Sequence, residues 1–187
     1  MTEFDSFAIQ LLEESKALLE KARSSEETSQ RTYLHSSLLL AISALEAEIN
    51  SICDELLVPP HDRNYSPHEQ GLLLEKEVQF DKGEFVLSNS LKISRISDRI
   101  EFLYFKYKGK STGEKLNGNV QWYADLKQSI DLRNKLVHPK EHIDITINQV
   151  EKTVQAVITA IDELYNAVYK KNFPSAALAL SSRISLV

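Results

Sequence analysis

Apolar residues recur at intervals of three and four along most of this chain, a spacing typical of amphipathic helices. The clearest case runs from about Gln30 to Leu57, and Pro59-Pro60 ends it because proline cannot continue a helix. The same spacing predicts further helices over 4–23, 91–105, 120–137 and about 146–171. We therefore predict an all-α fold, an antiparallel four-helix bundle whose long helices provide the core.

The region between residues 58 and 119 interrupts this pattern, and we predict that it is an elaboration between the core helices. Its last part contains three glycines and several lysines, which are typical of an exposed connection. In chain order we predict a loop over 61–68, a short helix over 69–79, a turn at 81–83, a strand or helix over 85–91 and a mobile surface loop over 106–119.

Length and composition are those of one globular domain that covers residues 1–187. Hydrophobic residues make up 42% and charged residues 26% of the chain, so it can bury a core without metal or disulfide cross-links. The tail, residues 172–187, is apolar for an exposed terminus. Its run Ala176–Leu180 is expected to pack on the core or to cross to a second subunit.

The single cysteine and the N-terminal residues indicate the compartment. Cys53 cannot form an intrachain disulfide, and its apolar helical setting favours a buried packing thiol over a nucleophile. The N-terminus lacks the basic start and apolar run of a signal peptide, and the run Leu38–Ile42 is too short to span a bilayer. We therefore expect a cytoplasmic protein without a membrane partner.

Motifs for cofactors and metals are not found in the sequence, which has no phosphate-cradling glycine loop and no dinucleotide fingerprint. His61, Asp62 and His68 lie close together, but their spacing matches no standard metal site, so we favour a solvated loop. Trp122 and Tyr123 can form a base-stacking surface, although packing in a core or interface is the commoner role. We expect no cofactor and no metal.

The net charge of −5 is unevenly distributed. Residues 1–60 carry eleven acidic and four basic side chains, whereas residues 92–115 carry seven basic and three acidic ones. A local basic patch can attract phosphates to an acidic protein. The simpler interpretation, which we favour, is that these basic side chains are solvated at a helix end and in a loop.

The most specific chemical signal is the segment Asp131–Pro139, at the end of the predicted helix 120–137. Residues four apart share a helix face, so Asn134 and His138 are expected to point the same way, with Arg133 beside them. Arginine keeps its charge at physiological pH, and histidine titrates near neutrality. This combination is suited to chemistry on a phosphodiester.

The segment Arg133–His138 resembles the motif of the HEPN superfamily. That family is marked by an arginine and a histidine with four to six residues between them, commonly with a polar residue after the arginine; here the spacing is four and the polar residue is Asn134. Residues 41–50 also resemble a core helix of some HEPN families. On that helix, Glu46 matches an acidic residue that faces the motif.

The resemblance implies a four-helix domain that forms homodimers, in which two motifs meet in one composite cleft. Many such proteins are metal-independent endoribonucleases of toxin–antitoxin or phage-defence systems. Others are catalytically silent modules for protein interaction or ligand binding. The implied partners are RNA, a second copy of the chain and an antitoxin or nucleotidyltransferase.

In the catalytic interpretation, which follows from the resemblance, each motif residue has a role in cleaving RNA. The 2′-hydroxyl is the nucleophile, and two His138 side chains act as base and acid, which leaves a 2′,3′-cyclic phosphate. Arg133 stabilises charge on the phosphorane, and Asn134 orients His138 or a phosphate. Glu46 holds Arg133 or sets the tautomer of His138.

A purely structural interpretation of these residues is the alternative. Asn134 can cap a helix end, and His138 can bond the last carbonyls of its helix, where histidine is favourable. Arg133 can pair with a nearby carboxylate: Asp131, Glu46 or Glu48.

Overall fold

The computed structural model of the protein describes residues 3–174 and 178–185, and this part of the chain is mostly helical with a small two-stranded sheet. The elements, in order, are α1 (Glu3–Arg23), α2 (Glu27–Leu56), a 3-10 turn (His61–Asn64), α3 (Pro67–Leu74), β1 (Lys76–Asp81), β2 (Glu84–Leu91), α4 (Ile96–Tyr104), a π turn (Phe105–Gly109), α5 (Lys110–Thr112), α6 (Gln121–Val137) and α7 (Ile147–Tyr169).

The four long helices α1, α2, α6 and α7 pack against one another and supply most of the core. Their apolar spacing explains this, because in α7 the positions Val150, Val154, Val157, Ile161 and Leu164 are each fully buried. α2 passes through the centre and buries thirteen of its residues. It is also long and apolar enough to cross a membrane, but 67% of its most apolar window is buried in the core.

Local sequence signals fix the ends of these helices. At the start of α7, Thr146 Oγ1 accepts the Gln149 N–H at 3.3 Å, and Gln149 Oε1 accepts the Thr146 N–H at 2.9 Å. These two hydrogen bonds form a capping box, which satisfies backbone N–H groups at the start of α7. α2 begins three residues before the predicted start near Gln30, at Glu27.

The middle region corrects several predictions. The short helix predicted over 69–79 ends at Leu74, because Glu75 adopts the left-handed conformation (φ 53°) and an antiparallel hairpin of β1 and β2 follows. The predicted turn is confirmed, with Lys82 and Gly83 both at positive φ. The helix predicted to start at residue 91 starts at Ile96 instead, since β2 runs to Leu91.

The prediction of a mobile surface loop over 106–119 is wrong for its first half. The chain continues from α4 through the π turn into α5, and Gly109 is buried there. A Cβ atom on Gly109 would lie 2.1 Å from the Glu114 carbonyl oxygen, so close backbone packing requires this glycine. Lys106 and Lys108 pair with Glu69 and Glu163, at 3.0 and 3.3 Å.

The C-terminal tail returns to α1. Leu178 and Leu180 are partly buried against the core, whereas Ala176 and Ala177 of the predicted apolar run lie outside the described residues. The Arg183 N–H donates to Glu13 Oε2 at 2.6 Å, and the Arg183 guanidinium lies 3.4 Å from the same carboxylate. The described part of the tail therefore packs on its own chain.

Candidate functional site

Arg133 and Glu46 form an ion pair between α6 and α2. Arg133 Nη2 donates to Glu46 Oε1 at 2.7 Å, and the two side chains are 23% and 45% exposed. Arg133 Nε is buried without a hydrogen-bond partner among the described residues. Both the catalytic and the purely structural interpretation of the motif predict this contact. In the structure Glu46 binds one guanidinium nitrogen of Arg133 and leaves Nε unsatisfied.

Arg133 lines a cavity of about 710 Å³ between α2, α6 and the chain that enters α4. Four cationic and three acidic side chains line this polar cavity, for a net charge of +1 in a chain whose net charge is −5. The cations are Arg95, Arg99, Lys127 and Arg133, and the acids are Glu46, Glu75 and Asp131. The polar cavity can therefore bind an anion although the whole protein is acidic.

Arg99 is a site residue that sequence reasoning missed. It is only 4% exposed, so the interpretation of segment 92–115 as solvated is wrong for this residue. Arg99 Nη2 donates to Asn50 Oδ1 at 2.7 Å, and Nη1 lies 3.6 Å from Glu75 Oε2. Like Arg133, it lines the polar cavity and has a buried Nε without a partner in the described chain.

The two arginines are held by one face of α2. Glu46, which binds Arg133, lies one helical turn before Asn50, which binds Arg99. Cys53, one further turn along, accepts from Arg99 Nη2 at 3.5 Å. Burial raises the pKa of the Cys53 thiol more than Arg99 lowers it, as expected for the predicted packing thiol.

Asn134 and His138 lie at the exposed end of α6. Asn134 lines the polar cavity, and its carbonyl accepts the His138 backbone N–H at 2.9 Å. His138 leaves helical geometry (φ −122°, ψ 64°) just before Pro139, and its side chain is exposed. Among the described residues, the polar cavity is lined by Glu46, Arg133 and Asn134 but not by His138.

The aromatic pair before the motif, Trp122 and Tyr123, packs in the core or against it. Tyr123 is 1% exposed and its hydroxyl donates to Glu101, while Trp122 packs edge-on against it with ring centroids 5.7 Å apart. Burial and the Glu101 carboxylate raise the pKa of Tyr123 well above its usual range. The Tyr123 ring is therefore not free to stack on a base without repacking, whereas Trp122 is only partly buried.

The loop histidines do not assemble a metal centre in the described part of the chain, where no group of three or more histidine, cysteine or acidic residues is arranged to hold an ion. His68 instead packs edge-on against Phe85, with ring centroids 4.8 Å apart.

Comparison of the chain with protein-family models, curated proteins and solved structures gave no match. No relative therefore supplies a function or a set of site residues.

Proposed function

We propose that this protein is a single HEPN-like helical domain and acts as a metal-independent endoribonuclease in a homodimer. One observation carries the proposal: Glu46 holds Arg133 in the wall of a polar cavity, and Asn134 of the same motif lines that cavity. The packing of four long helices supports a HEPN-type bundle, and the motif lies at the end of one of them.

The proposed reaction needs a base, an acid and a cation at one phosphodiester. One His138 removes the proton of the 2′-hydroxyl, whose oxygen attacks phosphorus. The bond from phosphorus to the 5′-oxygen breaks, and a second His138 protonates that leaving oxygen. The products are a 2′,3′-cyclic phosphate and a 5′-hydroxyl, so no water, oxidant or metal enters the balance.

Arg133 is suited to stabilise the charge that develops on the phosphorane. Its side chain is partly exposed and lines the polar cavity, and a guanidinium can bind two phosphate oxygens in a planar fork. Glu46 fixes the side chain without fully neutralising it, because a carboxylate that is 45% exposed is screened by water. In this proposal Asn134, which lines the polar cavity, donates to the same phosphate or orients His138.

The exposed position of His138 supports the dimer in this proposal. Its side chain is exposed at the end of α6, apart from the polar cavity of its own protomer, and it can therefore reach a cleft shared with a second copy. We expect the protein in solution to have twice the 21.3 kDa mass of the chain. A role as a cytoplasmic toxin or phage-defence component, with an antitoxin or nucleotidyltransferase partner, belongs to the same proposal.

The test is cleavage of mixed single-stranded RNA in EDTA by wild type, His138→Ala and His142→Ala. Both histidines are exposed, so neither change should impair folding, and His142 is the matched control. We expect His138→Ala to lose about a hundredfold or more in rate, the usual contribution of a general acid or base. Cleavage that survives His138→Ala, or that needs added metal, would refute the proposal.

The second candidate is a catalytically silent module that binds an anionic ligand. The observation that favours it is that the cations line the polar cavity within one protomer while His138 does not. It predicts that wild type binds RNA or a nucleotide through Arg133 without cleaving it. Binding that is lost in Arg133→Gln, together with intact RNA after long incubation, would support this candidate over the nuclease.

A further inference from the structure

A second cavity, the hairpin cavity, lies beside the polar cavity and is not used by the motif. It has a volume of about 460 Å³ and lies between α3, β1 and the chain that leads from β2 into α4. Ile93, Ser94 and Arg95 line both cavities, so the two meet at this short segment. A strand bound in the polar cavity is therefore positioned to continue into the hairpin cavity.

Three unpaired cations line the hairpin cavity. Lys76, Lys92 and Arg95 face it together with one acid, Asp98, for a net charge of +2 in a chain whose net charge is −5. In the described part of the chain these three cationic side chains have no ion pair or hydrogen bond, unlike the two lysines of the π turn. Cations without a protein partner at a cavity wall can attract a phosphate.

Part of the cavity wall is apolar. It is formed by Gly71 and Leu72 of α3, Val78 of β1 and Ile93, and His68 adds an imidazole ring. Ile93 is 89% exposed, the most of any large hydrophobic side chain in the described residues. An apolar surface among cations matches a nucleotide, which joins a largely apolar base to an anionic phosphate.

Backbone contacts fix the walls of the hairpin cavity. The Lys92 and Ser94 N–H groups donate to the Glu75 carbonyl and to Glu75 Oε1, at 2.8 and 3.0 Å. A Cβ atom on Gly71 would lie 2.7 Å from Val78 Cγ2, so α3 and β1 pack closely. These contacts preorganise the cavity, which lowers the entropic cost of binding a ligand.

The two kinds of wall and the neighbouring cavity together define the ligand. A free phosphate would contact the cations and leave Ile93 exposed, whereas a nucleotide would cover both. The volume of about 460 Å³ lies in the usual range of small-molecule sites. The polar cavity next to it is the proposed site of a phosphodiester, which favours RNA over an acidic peptide.

We propose that the hairpin cavity binds a nucleotide that flanks the scissile phosphodiester, with its base against Ile93 and the strand's phosphates at Lys76 and Lys92. This inference rests on the proposed function and deepens it, because it extends the RNA site of each protomer beyond the bond that is cleaved.

The first experiment measures dissociation constants of a 2′-O-methyl hexanucleotide of mixed sequence, which cannot be cleaved, over a range of salt concentrations. The double change Lys76→Gln and Lys92→Gln removes two cations that line only the hairpin cavity. The matched control is Lys110→Gln with Lys115→Gln, since both of these lysines are exposed, line neither cavity and alter the net charge equally.

The salt dependence reports the phosphate contacts. Each contact with a single strand contributes about 0.7 to the slope of log affinity against log salt, so the Lys76 and Lys92 variant should lose about 1.4. Its affinity at low salt should fall about tenfold, and the control should differ little from wild type. Lys92→Gln alone, at an exposed position, should give about half the change in slope without altering the strand.

A second pair of variants tests the base. Ile93→Gln should weaken binding of the hexanucleotide about threefold or more, because an apolar contact is lost. It should leave the affinity for an abasic strand of the same length unchanged. The matched control is Leu91→Gln, which should affect neither probe because Leu91 is 77% exposed and lines neither cavity.

The inference is overturned if the two double variants bind alike, if Ile93→Gln weakens both strands equally, or if wild type does not bind the hexanucleotide. Hexaglutamate that binds with the same dependence on Lys92 and Ile93 would also overturn it, since the cavity would then accept an acidic peptide. The outcome is separate from catalysis. Binding in the hairpin cavity by a protein that leaves RNA intact would refute the nuclease and keep this site, whereas normal cleavage with no effect of Lys92→Gln would do the reverse.

Discussion

The ion pair between Glu46 and Arg133 allows a prediction in which stability, affinity and activity change in different directions. Glu46→Gln keeps the size of the side chain and removes its charge. The charged atoms are 2.7 Å apart, but the side chains are 45% and 23% exposed, so water screens much of the interaction. We expect a loss of about 1 kcal/mol rather than the several expected of a buried pair.

That loss corresponds to a fall of about 2–4 °C in the melting temperature for a chain of this size. The affinity for RNA should rise, because the net charge of the side chains that line the polar cavity changes from +1 to +2. We expect an increase of about threefold at low salt that disappears at high salt, where exposed charges are screened. Cleavage should fall by about tenfold or more, since Arg133 loses the group that orients it.

Asp131→Asn is the matched control, because Asp131 also lines the polar cavity and no ion pair joins it to Arg133 in the described chain. It should raise the affinity by a similar factor while cleavage stays near wild type. Thermal unfolding by circular dichroism, RNA binding by fluorescence anisotropy and initial cleavage rates give the three readouts. Equal cleavage by Glu46→Gln and Asp131→Asn would refute the orienting role of Glu46.

Three further predictions concern stability. Burial and the neighbouring Arg31 lower the pKa of His35 below 6.5, so the unfolded chain takes up a proton at this residue more readily than the folded chain. The free energy of unfolding should therefore fall as the pH drops below about 6.5, by at most about 1.4 kcal/mol per pH unit. In chemical denaturation, His35→Gln should lack this contribution to the pH dependence. Gly109→Ala should cost about 1–3 kcal/mol because its Cβ would meet the Glu114 carbonyl, whereas Gly118→Ala, with open space around it, should change the melting temperature little; equal effects of the two changes would contradict this packing. Thr146→Ala should cost about 1 kcal/mol by removing the cap of α7, and a change below about 0.3 kcal/mol in the same assay would show that the cap is not formed.

The long helices could be predicted from the sequence because their apolar residues repeat over many turns. In α2 and α7 the residues with helical spacing are those that the core buries, such as Leu45 and Val157. The cap at Thr146 could also be predicted, since all of its partners lie within four residues. These features depend on neighbours along the chain.

The hairpin and α5 could not be predicted, because short apolar runs fit both strand and helix spacing. Lys76, Val78 and Gln79 pair with β2 only once Glu75 has ended α3 and Gly83 has reversed the chain. Gly109 lies in a segment whose composition is typical of a flexible loop, yet its backbone packs closely against the Glu114 carbonyl. In each case the deciding partner is a tertiary contact.

The candidate site was predicted in part. The motif indicated Arg133 and the resemblance of residues 41–50 indicated Glu46, and the structure brings the two side chains together across 87 positions of sequence. Arg99 was missed because its burial depends on Asn50, which lies 49 positions away, and on Glu75 from another element. A basic segment can be recognised in a sequence. The packing of α4 against α2, however, decides which of its side chains line a cavity.

The most direct test of the central claim is the chemistry of the RNA ends produced by the wild-type protein. Purified protein is incubated with mixed single-stranded RNA in EDTA, and the new termini are identified by mass spectrometry. We predict 2′,3′-cyclic phosphates and 5′-hydroxyls, formed without metal by the histidines and arginines of the motif. Intact RNA, or fragments with 3′-hydroxyl ends, would contradict this account.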